Sequence, residues 1–169
     1  MSRGFVKEDD QEEVPMVPPR ADLPAGVTNY VTPKGMEALT DEKTLLIKER
    51  EALDTANENE RRIALNHINA KLQLLNTRIL SAKVVHLNIQ PKDEVRFGAF
   101  VTLKIGTTNK IEKYQITGVD EADISKGKIS FVSPIAKLLT NKKVGEKVTL
   151  KLAKEYRLFE VMDIAYGQK

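Results

Sequence analysis

Gly118-Val119-Asp120-Glu121-Ala122-Asp123, then Gly127-Lys128-Ile129-Ser130-Phe131-Val132-Ser133-Pro134-Ile135-Ala136-Lys137-Leu138-Leu139, closed by Lys143-Val144-Gly145-Glu146, is the stretch that decides the fold. Ile129 and Phe131 alternate with polar residues and mark a strand. Ser133 followed by Pro134 is a helix start: the hydroxyl accepts a first-turn N–H, and proline lacks the N–H that would go unpaired there. The short helix runs over Ile135 to Leu139, and Val144-Gly145 turns the chain toward the last strands.

Working outward, Val95, Phe97, Ala99, Val101, Leu103 and Ile105 alternate with polar or small residues before the turn Gly106-Thr107-Thr108-Asn109. Tyr114 and Ile116 mark a further strand, Val148, Leu150 and Leu152 another, and Leu158 to Ile164 the last. Short strands in hairpin succession with one helix to cover a face predict a small α+β domain over 91–169, with an antiparallel sheet.

Upstream the period lengthens to that of helices. Thr32-Pro33 is a helix start, and Met36, Leu39, Leu46 and Leu53 share one face, with Lys43 and Arg50 interrupting it. The polar stretch Asp54-Thr55-Ala56-Asn57 follows. Beyond it Leu65, Ile68, Leu72, Leu75, Ile79 and Ala82 recur at intervals of three and four. Two facing stripes with a short connection predict an antiparallel coiled-coil hairpin over 33–86, with helices of roughly 27 Å and roughly 39 Å. Residues 1–32 are acidic, contain Pro15, Pro18, Pro19 and Pro24, and show no period, so an extended or disordered leader is expected.

Composition narrows the function classes. There is no cysteine, hence no disulfide and no thiolate metal site. The N-terminus lacks an apolar signal core and no run has membrane-spanning length, so a cytoplasmic chain without membrane contact is expected. Net charge is only +3, but residues 91–169 carry fifteen basic and ten acidic side chains. Lysines scattered over a sheet read first as a solvated surface, so nucleic acid is expected as a weak or indirect partner. His67 and His86 have no ligand-type neighbours at metal spacing and read as surface or interface residues. No phosphate loop, dinucleotide fingerprint or nucleophile elbow is present.

The order and spacing of these pieces resemble the GreA/GreB family of transcript-cleavage factors. The family pattern is a Glu-Ala-Asp turn, a Gly-Lys-Ile-Ser strand, a Ser-Pro helix start and a Val-Gly-Asp/Glu turn. The resemblance covers about residues 32 to 166, with Pro33-Lys34-Gly35-Met36 similar to the start of the family's first helix and Ile79-Leu80-Ser81-Ala82-Lys83 to the exit of its second. It implies an FKBP-like second domain that docks on the rim of RNA polymerase's secondary channel while the hairpin reaches inward. The implied docking turn is Ser133, Pro134 and Ile135, with Val132 where an acidic residue commonly stands.

In cleavage-competent members the hairpin tip carries an Asp, two spacers and Glu-Asn-Ala-Glu/Asp-Tyr, whose carboxylates help to hold a metal beside the polymerase's own aspartates. Oxygen ligands suit a hard divalent cation, whose bound water becomes the nucleophile. Here the tip reads Asp54-Thr55-Ala56-Asn57-Glu58-Asn59-Glu60-Arg61-Arg62. Asp54 matches the family's Asp, the one residue placed to share a polymerase-bound Mg. Asn57 stands in the place of the family's Glu, which leaves Glu58 and Glu60 as the remaining tip acids. Asn57 with Glu60 also forms a capping-box pattern, and acids in a first turn favour the helix dipole. A short arm without the paired acids resembles the regulator of nucleoside diphosphate kinase.

The chain is thus expected to be a non-enzymatic accessory factor that binds RNA polymerase and modulates elongation or the rescue of backtracked complexes. It would have no cofactor of its own. The competing readings are a polymerase binder without cleavage stimulation and a helical-hairpin interaction module, which would dimerise where the first would be a monomer. A prolyl isomerase would need an aromatic-lined pocket, and this chain has no tryptophan and few aromatics.

Overall fold

The computed structural model describes residues 15–54 and 56–167. The first fourteen residues of the acidic leader, Thr55 of the tip and the last two residues of the globular domain lie outside the described residues.

Strand β1 (Asn29–Val31) leads into helix α1 (Pro33–Glu51). Thr32 caps α1, its Oγ1 accepting the Gly35 N–H at 2.9 Å, and Pro33 fills the first helical position. Helix α2 (Glu58–Ser81) returns antiparallel to α1 and passes into β2 (Ala82–Val84). At 1.5 Å per residue the 19 residues of α1 span about 29 Å and the 24 of α2 about 36 Å.

The seam between the two helices is apolar. Val31, Leu39, Leu46, Ile68, Leu72 and Leu75 are buried together, with Met36, Leu53 and Ile79 packed against them. Leu65, expected in the same seam, is only half-buried. Arg50 Nη1 donates to Asn69 Oδ1 at 3.2 Å on the exposed side of the hairpin, which places Leu65 one turn nearer the tip, level with the end of α1 at Glu51, where α1 offers it little surface.

The globular domain holds β3 (Phe100–Ile105), β4 (Lys110–Thr117), β5 (Lys128–Ser130), the short helix α3 (Pro134–Leu139), β6 (Lys147–Lys151) and β7 (Tyr156–Ala165). They form one sheet in the order β5-β4-β3-β7-β6. Neighbours are antiparallel except β5, which lies parallel to β4 with Ile116 opposite Ile129, so the sheet is mixed rather than purely antiparallel. The parallel pair follows from the connection: residues 118–127 carry the chain back along the sheet instead of reversing it in a tight hairpin.

The run from Val95 to Ile105 is not one strand. Gly98 sits at φ +87°, a left-handed conformation that breaks the extended run, and the strand proper starts at Phe100. Val95 and Ala99 are nonetheless fully buried beside Val101, Leu103, Ile116, Leu139 and Val161. Lys147 and Lys151 lie on the edge strand β6, where charge blunts pairing with another chain.

Candidate functional site

Two places in the fold bear on function besides the arm's joint with the body: the tip of the arm and the Ser-Pro turn. The tip comprises residues 52–57 and the first turn of α2. Asp54 is exposed, and its Oδ1 accepts the Ala56 N–H at 2.9 Å. Asn57 Oδ1 accepts the N–H groups of Asn59 and Glu60, both at 3.1 Å, which makes Asn57 the cap of α2. Arg62 Nη2 donates to Asn59 Oδ1 at 3.1 Å.

Glu58 and Glu60 are exposed in the first turn of α2. Residues two apart on a helix point to different sides, so these two carboxylates do not converge on one point beside Asp54. Among the described residues no group of three or more His, Cys, Asp or Glu side chains is gathered as a metal would require. The tip therefore offers single carboxylates rather than a cluster. His67 is half-buried and His86 exposed.

In the Ser-Pro turn Ser133 Oγ accepts the Ala136 N–H at 3.3 Å, capping α3. Pro134 is exposed, whereas Ile135 is half-buried and packs against the core. Val132 is half-buried beside them. Of the three residues of this turn, Pro134 presents the most open surface.

The joint was not foreseen. Arg20, from the leader, donates through Nη1 to Glu42 Oε1 of α1 at 2.8 Å and through Nε to Asp120 Oδ1 at 2.9 Å. Hydrogen bonding to Glu42, joined by that to Asp120 and opposed by burial, raises the Arg20 pKa further. Arg78 of α2 approaches the other Asp120 oxygen at 3.7 Å and donates to the carbonyl oxygen of Ala21. Next to it, Thr32 Oγ1 donates to Glu121 Oε2 at 2.6 Å, and Lys128 Nζ reaches Glu121 Oε1 at 3.4 Å. The Asp120 and Glu121 side chains are only 7% and 8% exposed.

Aromatic packing reinforces these bonds. Tyr30 of β1 lies 5.8 Å from Phe97 and 5.7 Å from Phe131, and the two phenylalanines are 5.5 Å apart. The Asp120-Glu121 turn is thus the seat on which the arm's base rests. Its sequence signal was present as two adjacent acids in a turn, but their partners lie up to 100 residues away.

Residues 90–166 match the family described as transcription elongation factor, GreA/GreB, C-term. The chain is also 31% identical over 151 residues to transcription elongation factor GreA of Thermodesulfovibrio yellowstonii, covering 80% of this chain and 96% of that protein. The chain belongs to the GreA/GreB family of transcription elongation factors. GreA of Maricaulis maris is 35% identical over 100 residues and GreA of Pelobacter propionicus 38% over 99. Those matches take in 59% of this chain and only 64% and 63% of the two GreA proteins, just under two thirds of their length.

Among solved structures, GreA factor homolog 1 (Gfh1) of Thermus thermophilus aligns with TM-score 0.39 at 20% identity, over 82% of this chain and 99% of that one. GreA/GreB from Nitrosomonas europaea aligns with TM-score 0.42 at 16% identity, over 83% and 99%. Among the described residues no helix is long and apolar enough to cross a membrane.

Proposed function

We propose that this GreA/GreB-family chain is an accessory factor without chemistry of its own. It binds RNA polymerase at the rim of the secondary channel through the globular domain, places its helical arm in the channel, and occupies that channel without stimulating transcript cleavage. The observation that carries this reading is the role of Asn57. Its carboxamide stands where cleavage-competent relatives have a carboxylate, and it is spent on the Asn59 and Glu60 N–H groups as a helix cap. A carboxamide adds no negative charge to a metal site, and Glu58 and Glu60 point apart. The tip residues therefore do not fit a shared Mg beyond the single carboxylate of Asp54. This is the basis for likening the chain to short-arm members such as the regulator of nucleoside diphosphate kinase.

The Ser133-Pro134-Ile135 turn is the proposed docking surface, with Pro134 as its exposed point. The seam residues Leu72 and Leu75 are already buried inside the hairpin, which favours a monomer over pairing of two arms.

Transcript cleavage in backtracked elongation complexes tests the reading, with the parent chain and with Asp54→Asn. Neither protein is expected to raise cleavage above the polymerase's own rate, while the parent competes with a cleavage-competent Gre factor. Stimulated cleavage that Asp54→Asn abolishes would overturn the cleavage half of the proposal.

A further inference from the structure

The strand pairing at the base of the arm, where it meets the globular body, is slight. Two three-residue strands, β1 and β2, pair in parallel beneath the helices, with Val31 opposite Val84. Three residues per strand is the lower limit for a strand and gives little resistance to bending.

Contacts close to such a pivot hold the arm on but do little to fix its angle, whereas a contact further along the lever does fix it. Arg20 supplies that contact. Glu42 stands nine residues beyond the start of α1, about 14 Å along the helix axis. Arg20 Nη1 and Nη2 reach both Glu42 oxygens, at 2.8 and 3.1 Å, while Nε reaches Asp120 on the body at 2.9 Å. A single planar guanidinium thus spans arm and body, a geometry that its fork allows and an ammonium does not.

We infer that Arg20 and Asp120 are positioning residues, and that the segment around Arg20 is a clasp setting the direction of the arm before any partner is met. Arg78 completes the clasp from the second helix: it faces Asp120 at 3.7 Å and holds the leader backbone at Ala21. Asp120 therefore receives α2 directly and α1 through Arg20. The cluster is charge-balanced, with two guanidiniums against two carboxylates. Among the described residues Asp120 Oδ2 and Arg78 Nη1 are buried without hydrogen-bond partners, and Arg20 supplies the shortest bond to Asp120. Without Arg20, Asp120 keeps, among the described residues, only the 3.7 Å approach of Arg78, and Glu42, whose side chain is 44% exposed, turns to water.

The bearing of this clasp on polymerase rests on the reading above, but the clasp itself is a property of the free protein. The chain has no cysteine, so Ala52→Cys at the arm's end and Lys151→Cys on the edge strand can carry a pair of spin labels without other changes. Pulsed electron spin resonance on the full-length chain then reads the distance between arm and body. A single narrow distribution is expected for the parent, at least twice as broad in Arg20→Ala and in Glu42→Ala, with circular dichroism unchanged. Glu42→Ala removes only a half-exposed group on the arm and keeps the test open should Arg20→Ala fail to fold. A Glu42→Ala distribution as narrow as the parent's overturns the inference, whatever the protein does with polymerase.

Discussion

Gly118 passes so close to Tyr30 that a Cβ at residue 118 would stand 2.5 Å from the Tyr30 carbonyl oxygen. The obstacle is backbone, which cannot rotate away as a side chain could. This is why the turn that seats the arm begins with glycine: β1 lies directly on it. Gly118→Ala is expected to cost about 1–3 kcal/mol, as other overpacked sites do. Chemical denaturation of parent and variant checks this, and equal midpoints would place β1 elsewhere.

The cap of α2 makes a different prediction. Asn57→Ala removes the acceptor for two first-turn N–H groups and should destabilise the hairpin by about 1 kcal/mol. Asn57→Asp keeps the acceptor and adds a charge that the helix N-terminus favours, so it should be at least as stable as the parent. Thermal unfolding followed at helix wavelengths distinguishes the two.

Stability at alkaline pH should report on Tyr114. Burial, followed by its hydrogen bond to Glu112, pushes the Tyr114 hydroxyl from an ordinary value of 10.0 up to about 12. A raised pKa stabilises the fold fully below the unfolded value, and the contribution is lost as pH rises through the folded one. The parent should therefore lose stability between about pH 10 and about 12, and Tyr114→Phe should lose less over that window. Glu112 works in the opposite sense. Its hydrogen bonds to Lys110 and then Tyr114 lower its pKa from 4.5, so its contribution is present above that value and disappears as pH falls below it. Unfolding midpoints across both windows check the signs.

Much of this architecture was legible in the sequence because it is written in local chemistry. Thr32-Pro33 and Ser133-Pro134 both start helices where their hydroxyls and rings demand, and Asn57 caps α2. The buried faces of β3 and β4 follow the alternation of Val101, Leu103 and Ile116. The joint was not legible, since Arg20 and Asp120 lie 100 residues apart and no period links them. Arg20 sits in a proline-rich segment that reads as extended or disordered, and Asn29–Val31 gains its strand only by pairing with residues beyond the hairpin. Gly98 delays the strand until Phe100 because one positive φ outweighs an apolar alternation. At the tip, the capping-box pattern already places Glu58 and Glu60 in the first turn of α2, and their two-residue spacing on that helix turns them to different sides.

The central claim, that the globular domain docks this chain on RNA polymerase, is met most directly by equilibrium binding of the full-length chain to core polymerase. The account predicts saturable one-to-one binding that Pro134→Glu weakens by about tenfold or more, because a charge at the exposed point of the docking turn would be buried in the interface. Binding by the parent that is absent, or that Pro134→Glu leaves untouched, would contradict it.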